Sequence, residues 1–309
     1  MLIKKLLIIG GTGFIGKNLV IKAIESGYSV TVLSLNGAPQ GPLNQAHYIK
    51  CDIRSLKDLQ ENLKDNSFGY VINLGGYVDH SSFLNGGTEV IESHLIGLIN
   101  ILKIINWKSI KRFVQVGSSD EYGNSLAPQN EKIAGLPFSP YSFGKLASTE
   151  LLSMLYRSEK LPIVVVRLFL VYGPGQNIER FLPQIIKGCF SGESFSVSEG
   201  GQLRDFCYID DITRGLLLTL SNDEATGEIF NFGSGKPVAI KNIIKTVQEV
   251  IGVGSPDFGK KPYRKNENMA LYADISKASH ILNWHPEVSL KDGINKTVGY
   301  FKERLSFLP

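Results

Sequence analysis

Short apolar runs recur along the first half of the chain: Leu6 to Ile9, Ser29 to Leu33, Tyr70 to Leu74, Phe113 to Val116 and Ile163 to Leu168. Nearly continuous apolar residues are what a strand buried on both faces requires. Stretches with helical spacing lie between them, at Ile15 to Ser26, Leu56 to Leu63, Glu89 to Ile105 and Tyr141 to Ser158. This alternation predicts an α/β fold, a doubly wound parallel sheet with right-handed connections. After Gly173-Pro174-Gly175 the period breaks up, and short segments through Arg204 mix glycine, serine and apolar residues. A smaller C-terminal α/β lobe is expected to begin there. Helix-like Ile212 to Leu220 and strand-like Ile229 to Phe232 read as a return to the first lobe. The expected division is therefore 1–172 with 205–235 in the first lobe, and 173–204 with 236–309 in the second, which holds a helix near Ile240 to Ile251.

Composition narrows the picture modestly. The 309 residues suffice for one large core or two lobes sharing a cleft, and 43% hydrophobic with 20% charged residues describes a globular chain. A formal charge of +4 suits an anionic ligand. No basic stripe interleaved with aromatics appears, so nucleic acid is not an expected partner. No run approaches the length of a membrane span, and no membrane partner is expected. Met1 to Ile9 carries two lysines and an apolar run, but it ends in glycine and reads as a buried strand rather than a secretion signal. Cys51, Cys189 and Cys207 have no paired spacing, and the five histidines, His47, His80, His94, His280 and His285, show no ligand spacing. No metal site is expected, the histidines read as ordinary surface or core residues, and a reducing cytoplasm is the expected location.

Two segments carry chemistry. Gly10, Gly13 and Gly16 follow the first apolar run and open the first helical stretch, in Gly10-Gly11-Thr12-Gly13-Phe14-Ile15-Gly16. In that setting the first glycine permits a tight turn, the second lets a ligand approach the backbone, and the third lets the helix pack on the strand. Such a turn lays a dinucleotide pyrophosphate on a helix N-terminus, so these three glycines with Phe14 and Ile15 are candidate cofactor contacts. A carboxylate about twenty residues on would hold the ribose of NAD. No acidic residue stands between Glu25 and Asp52, and Ser34 ends the second run. NADP is therefore favoured over NAD, although no arginine beside Ser34 offers a clamp for a 2′-phosphate. Asp52 and Ile53 are candidates for the adenine edge, or Asp52 caps the helix beginning near Ser55.

The second segment is Pro140-Tyr141-Ser142-Phe143-Gly144-Lys145. Spacing of i and i+4 sets a phenol and an ammonium on one helical face. A phenol with a reference pKa near 10 is a poor proton shuttle at neutral pH, but an adjacent cation stabilises its phenolate. A shift of about three units corresponds to roughly 4 kcal/mol. Together the two segments read as a nicotinamide-dependent enzyme acting at a carbinol or ketone.

Val116-Gly117-Ser118-Ser119-Asp120-Glu121-Tyr122-Gly123 completes a pattern. With the glycine turn, Tyr141-x-x-x-Lys145, Arg167 through Tyr172-Gly173-Pro174-Gly175, Arg204-Asp205-Phe206 with Asp210-Asp211, and Tyr263-Arg264, the chain resembles the extended short-chain dehydrogenases/reductases of the nucleotide-sugar epimerase, dehydratase and 4-ketoreductase group. The resemblance implies a Rossmann lobe for the dinucleotide and a C-terminal lobe for a nucleoside-diphosphate sugar. It implies Tyr141 as acid/base, Lys145 as the residue that lowers its pKa and binds the nicotinamide ribose, and Ser118 as the hydroxyl that orients the reacting sugar oxygen. It adds Leu74 and Gly75 to the cofactor contacts, Ser119 and Asp120 to the substrate contacts, and Arg204 and Arg264 as candidates for the substrate diphosphate. A homodimer, paired through the helices around Glu89 to Ile105 and Tyr141 to Ser158, is implied as well.

Departures from the family pattern bear on the reaction. Dehydratases place acidic side chains just after the Ser/Thr, whereas here Ser119 intervenes and Asp120 and Glu121 follow; Glu121 stands where an aliphatic residue is usual. His94 and Leu170 replace usual asparagines, and Gly75-Gly76-Tyr77 replaces an alanine-rich turn. The order resembles 4-ketoreductases, so reduction of a 4-keto-6-deoxy nucleotide sugar with NADPH is the leading expectation. A 4-epimerase retaining NAD is the alternative, a 4,6-dehydratase is third, and a non-catalytic dinucleotide-binding regulator is the rival from another class. Solvated capping remains open for Asp120 and Glu121.

Overall fold

The computed structural model describes residues 4–38, 45–64, 67–263 and 267–305. Strands β1 (Lys4–Ile9), β2 (Tyr28–Ser34), β3 (His47–Lys50), β4 (Tyr70–Asn73), β5 (Arg112–Ser118), β6 (Ile163–Leu168) and β10 (Ile229–Phe232) form one sheet in the order β10-β6-β5-β4-β1-β2-β3. Every pairing in it is parallel. The order reverses between β1 and β4, the switch point at which open α/β sheets form a ligand crevice. This is a Rossmann-like fold.

Period-two alternation assigns the two faces. Leu6, Ile8, Val30, Val32, Val114, Val116, Val164 and Val166 pack with α1 (Phe14–Glu25) and α7 (Ile209–Ser221). Leu7, Ile9, Leu33, Val71, Phe113, Ile163 and Val165 pack against α2 (Leu56–Leu63), α4 (Gly97–Ile104) and α5 (Pro140–Glu159). Each such buried side chain contributes about 1.5–3 kcal/mol. Helix α1 turns Gly16, Leu19, Val20 and Ala23 inward, the i, i+3, i+4, i+7 stripe of a half-buried helix. Helix α5 starts at Ser139, whose side chain accepts from the Ser142 amide, with Pro140 in the first turn. Between α3 (Thr88–Ile91) and α4 the chain takes a π-helical turn over Glu92–Ile96.

A second sheet holds β7 (Leu170–Tyr172), β9 (Leu203–Tyr208), β11 (Pro237–Ala239) and β13 (Ala270–Leu271), with β9 in the middle. Helices α6 (Phe181–Phe190), α8 (Ile240–Ile251) and α10 (Leu290–Leu305) enclose the core of this lobe. Strands β8 (Ser194–Ser196) and β12 (Ser255–Asp257) pair beside it. Helix α7 and β10 join the large sheet, whereas β7 and β9 belong to the small one. The expected boundaries at 172 and 205 therefore fall at the end of one strand of the small sheet and inside another. Among the described residues, no helix is long and apolar enough to cross a membrane.

Two buried aspartates tie the lobes together. Asp205 accepts from the Ser234 amide and hydroxyl, the Gly235 amide and the Ala273 amide. Asp211 accepts from the amides of Glu287 and Val288, and its carbonyl receives the Trp284 indole, which stacks on Phe232. The Asp205→Ala variant strands three amides, one buried and two half-buried, and a loss of about 3 kcal/mol is expected in urea unfolding; a loss below about 1 kcal/mol would show that water replaces the carboxylate.

Candidate active site

The crevice is built first from the turn after β1. Gly10 has φ +77°, and a Cβ there would stand 2.9 Å from the Leu74 carbonyl oxygen. At Gly16 a Cβ would come within 2.3 Å of the Gly10 oxygen, so only glycine lets α1 sit this close to β1. Gly13 differs: its φ is −72° and a Cβ would meet nothing nearer than 3.4 Å. Neither backbone conformation nor the chain's own packing demands glycine there, and the space beside it is open to approach from outside. The N-terminus of α1 has no side-chain cap and no acidic residue in its first turn. Its free N–H groups and dipole suit a pyrophosphate, and the residues present fit a dinucleotide. Phe14 and Ile15 pack toward the small lobe, so the same turn reaches both sides of the crevice.

Further along the crevice, the Ser34 hydroxyl donates to the Gly37 carbonyl at 2.8 Å, and the Cys51 amide donates to the Ser34 carbonyl at 3.0 Å. This second contact brings Asp52 close to the end of β2, so the stretch without acidic residues in sequence is not without them in space. Asp52 is gripped by Arg54 in a two-pronged ion pair of 2.7–3.1 Å, and that hydrogen-bonded guanidinium holds the carboxyl below its usual range. Helix α2 is capped by Ser55, not by Asp52. Ile53 lies against Gly75 and Gly97, and its carbonyl accepts from Asn100. Leu74 donates its amide to Ile9, and the Gly75 amide is held by Asn73.

Ser118, Tyr141 and Lys145 converge at the end of β5, each buried. The Ser118 side chain accepts from the Asp120 amide at 3.1 Å and is near enough to the Tyr141 phenol to act on its ionisation. The Lys145 ammonium donates to the Val116 carbonyl at 2.8 Å and lies 6.0 Å from the centre of the Tyr141 ring. The electrostatics correct the simple expectation for this pair. Burial pushes the phenol well above its ordinary value and Asp120 adds to the rise, while Ser118 and Arg180 oppose it. The same burial brings Lys145 down to about 8. In the chain by itself desolvation dominates both groups, and the phenol stays raised in spite of the ammonium one turn away.

Ser119 is buried beside Ser118, and Asp120 is partly exposed with its carboxylate 3.9 Å from His80 Nε2. Glu121 does cap the turn after β5, its carboxylate accepting from the Ser118 amide, but it is not solvated. It has no exposed surface and pairs with Arg167 at 2.7 Å. Arg204 is nearly buried and ion-paired with Glu267, so a substrate phosphate would have to share or displace that carboxylate. Arg264 lies outside the described residues. The two rings that flank Tyr141 edge-on are both histidines, His94 at 5.2 Å and His80 at 5.5 Å between centroids. Reading them as ordinary histidines missed this. Position 94, where the family carries asparagine in the helix that packs on α5, was the available signal; His80 and Arg180 gave none, because only folding brings them to Tyr141.

The chain belongs to the NAD-dependent epimerase/dehydratase family, whose pattern matches residues 6–233. It is 32% identical over 268 residues to a UDP-glucuronate 4-epimerase of Thermodesulfobacterium geofontis, covering 84% of this chain and 81% of that one. Among solved structures it is similar to the UDP-glucose 4-epimerase of Thermotoga maritima with UDP-glucose, with TM-score 0.88, 27% identity and coverage of 97% and 99%. It is likewise similar to the UDP-glucuronic acid 4-epimerase of Bacillus cereus in complex with UDP-glucuronic acid and NAD, with TM-score 0.85, 27% identity and the same coverage of 97% and 99%.

Buried His94 yields a pH prediction. Its Nε2 lies 3.0 Å from the Tyr77 carbonyl, and burial, with a smaller push from Lys145, brings its pKa from 6.5 to about 3. Between those values the unfolded chain binds a proton that the native chain refuses, so stability falls as pH drops through that window. Urea unfolding at about pH 7 and about pH 4.5 should show the His94→Asn variant losing about 2 kcal/mol less than the parent chain on acidification. Equal losses would mean that His94 is hydrated.

Proposed function

We propose that this protein interconverts nucleoside-diphosphate sugars that differ at C4, as a 4-epimerase that keeps its NAD through the cycle. The observation that carries this reading is the Tyr141 hydroxyl, buried at the C-terminal edge of the sheet beside Ser118, with Lys145 one turn away. Relatives named as UDP-sugar 4-epimerases, and a solved neighbour holding NAD, support it over the NADPH-dependent reduction expected from the Ser-Ser-Asp-Glu order. The Arg54-neutralised Asp52 leaves no strong charge preference at the ribose, so the electrostatics do not demand NADP.

NAD supplies the acceptor and donor of hydride at C4. Everything else falls to the chain. The uncapped turn Gly13 to Gly16 binds the pyrophosphate, and Ser118 orients the sugar O4. Tyr141 takes the proton from O4 and returns it. Burial keeps the phenol protonated in the chain alone, so its phenolate depends on positive charge brought in with the bound cofactor, added to that of Lys145. Exclusion of water makes those charges count for more. Ser119 and Asp120 line the sugar end, and Arg204, with Arg264, grips the diphosphate. Asp120 beside His80 favours elimination to a 4-keto-6-deoxy sugar as the second reading.

Two copies pair through the helical stretch 88–104 and α5, on the support of the exposed apolar side chains of Ile96, Phe143 and Met154. Three buried free thiols support a reducing, cytoplasmic setting.

Denaturing the purified protein should release stoichiometric NAD. Incubation with UDP-glucose or UDP-glucuronate should then give the C4 epimer without added cofactor. Exchangeable NADP, with turnover only of 4-keto sugars, would restore the reductase. Tyr141→Phe should retain the dinucleotide and lose turnover about 10²–10⁴-fold; full turnover in that variant removes the acid/base role.

A further inference from the structure

We propose that Glu121 is a positioning residue of this site: its buried carboxylate fixes the Ser118 end of β5 against α5 and sets a negative charge at the strand end that Lys145 also bonds. The carboxylate joins three elements. Oε1 accepts from the Ser118 amide at 2.9 Å, and Oε2 accepts from Arg167 Nε on β6 at 2.7 Å and from the Thr149 hydroxyl on α5 at 2.9 Å. Thr149 stands one turn beyond Lys145, so this carboxylate sets the spacing between the strand that carries Ser118 and the helix that carries Tyr141. A Cβ at Gly117 would lie 2.4 Å from Oε1, which shows how closely the strand closes over it.

A fully buried ion pair is weak in stability terms against apolar residues of the same volume, and Arg167 leaves its Nη1 without a partner while its guanidinium lies over the Tyr122 ring at 4.6 Å. The charge therefore calls for another reason, and Lys145 provides one. Among the described residues, the groups that act on the ammonium are Tyr141 on its own helix, His94 from the π-helical turn, and Glu121 from the turn after β5, which Arg167 of β6 pairs. Tyr141 and His94 are neutral at working pH, for burial raises the one and lowers the other. Burial drives Lys145 toward the neutral amine, and of the two charges in the pair Glu121 is the one that opposes this. A neutral amine would still fit the space but would bring no charge to Tyr141.

The titration of Lys145 tests this without any assumption about turnover. In protein labelled with 13C at lysine Cε, the resonance absent from Lys145→Arg should titrate near 8. Glu121→Gln keeps the shape and should lower that midpoint by about one unit or more. Because this variant leaves Arg167 without a counter-charge, Glu121→Gln combined with Arg167→Gln serves as the companion that buries no lone charge, and a smaller fall of the same sign is expected. An unchanged or raised midpoint in the folded double variant overturns the proposal, since loosening of the site admits water and raises Lys145. Activity is a separate arm that rests on the proposed function: with UDP-glucose, the alkaline limb of kcat should move down in pH by the same amount. If the parent chain fails to convert any UDP-sugar, the function falls while the titration still decides the role of Glu121.

Discussion

The end of β5 is the point on which the rest of the structure depends. There a strand buried on both faces runs out of partners, and its last residues are taken up by two long side chains: Lys145 bonds the Val116 carbonyl and Glu121 bonds the Ser118 amide. A buried strand end must satisfy its backbone groups somewhere. Here it does so with a cation from α5 and an anion from the following turn, so backbone satisfaction also installs the site's charges. Tyr141 is then placed by the helix that Lys145 and Thr149 fasten, and Ser118 by the strand they fasten it to.

That arrangement explains why desolvation outweighs the local cation in setting the two pKa values. Tyr141 and Lys145 are both almost wholly buried, and each is driven toward its neutral form. A chain that kept the tyrosine ionised at rest would hold an unpaired phenolate in a dry crevice. Burial therefore holds the phenol neutral in the chain alone, and in the proposed reaction added ligand charge would be what lets it ionise. In the glycine turn, Gly10 and Gly16 are required by the fold, whereas the chain's own packing leaves Gly13 free.

Much of this was legible along the chain, for reasons that are local. Strands such as Ile163 to Leu168 announce themselves because both faces are buried, and α5 because Ser139 and Pro140 start it. Helices α2 and α8 and strand β10 stand where the periodicity sets them. The small sheet was not legible, because strands of two to six residues gain their identity from partners distant in sequence, as β7 and β13 do from β9. The same limit applies to side chains. Glu121 reads as a polar turn residue until Arg167 arrives from β6, and Arg204 reads as a free phosphate ligand until Glu267 meets it. His80 and Arg180 enter the site only through folding.

The most direct test of the central claim, that a proton and a hydride leave and return at one enclosed C4 centre, uses UDP-glucose deuterated at C4. The account predicts a C4-epimeric product that keeps its deuterium at C4, with none lost to water and no need for added dinucleotide. Deuterium washed into solvent, or conversion that appears only when NADPH is supplied, would contradict it.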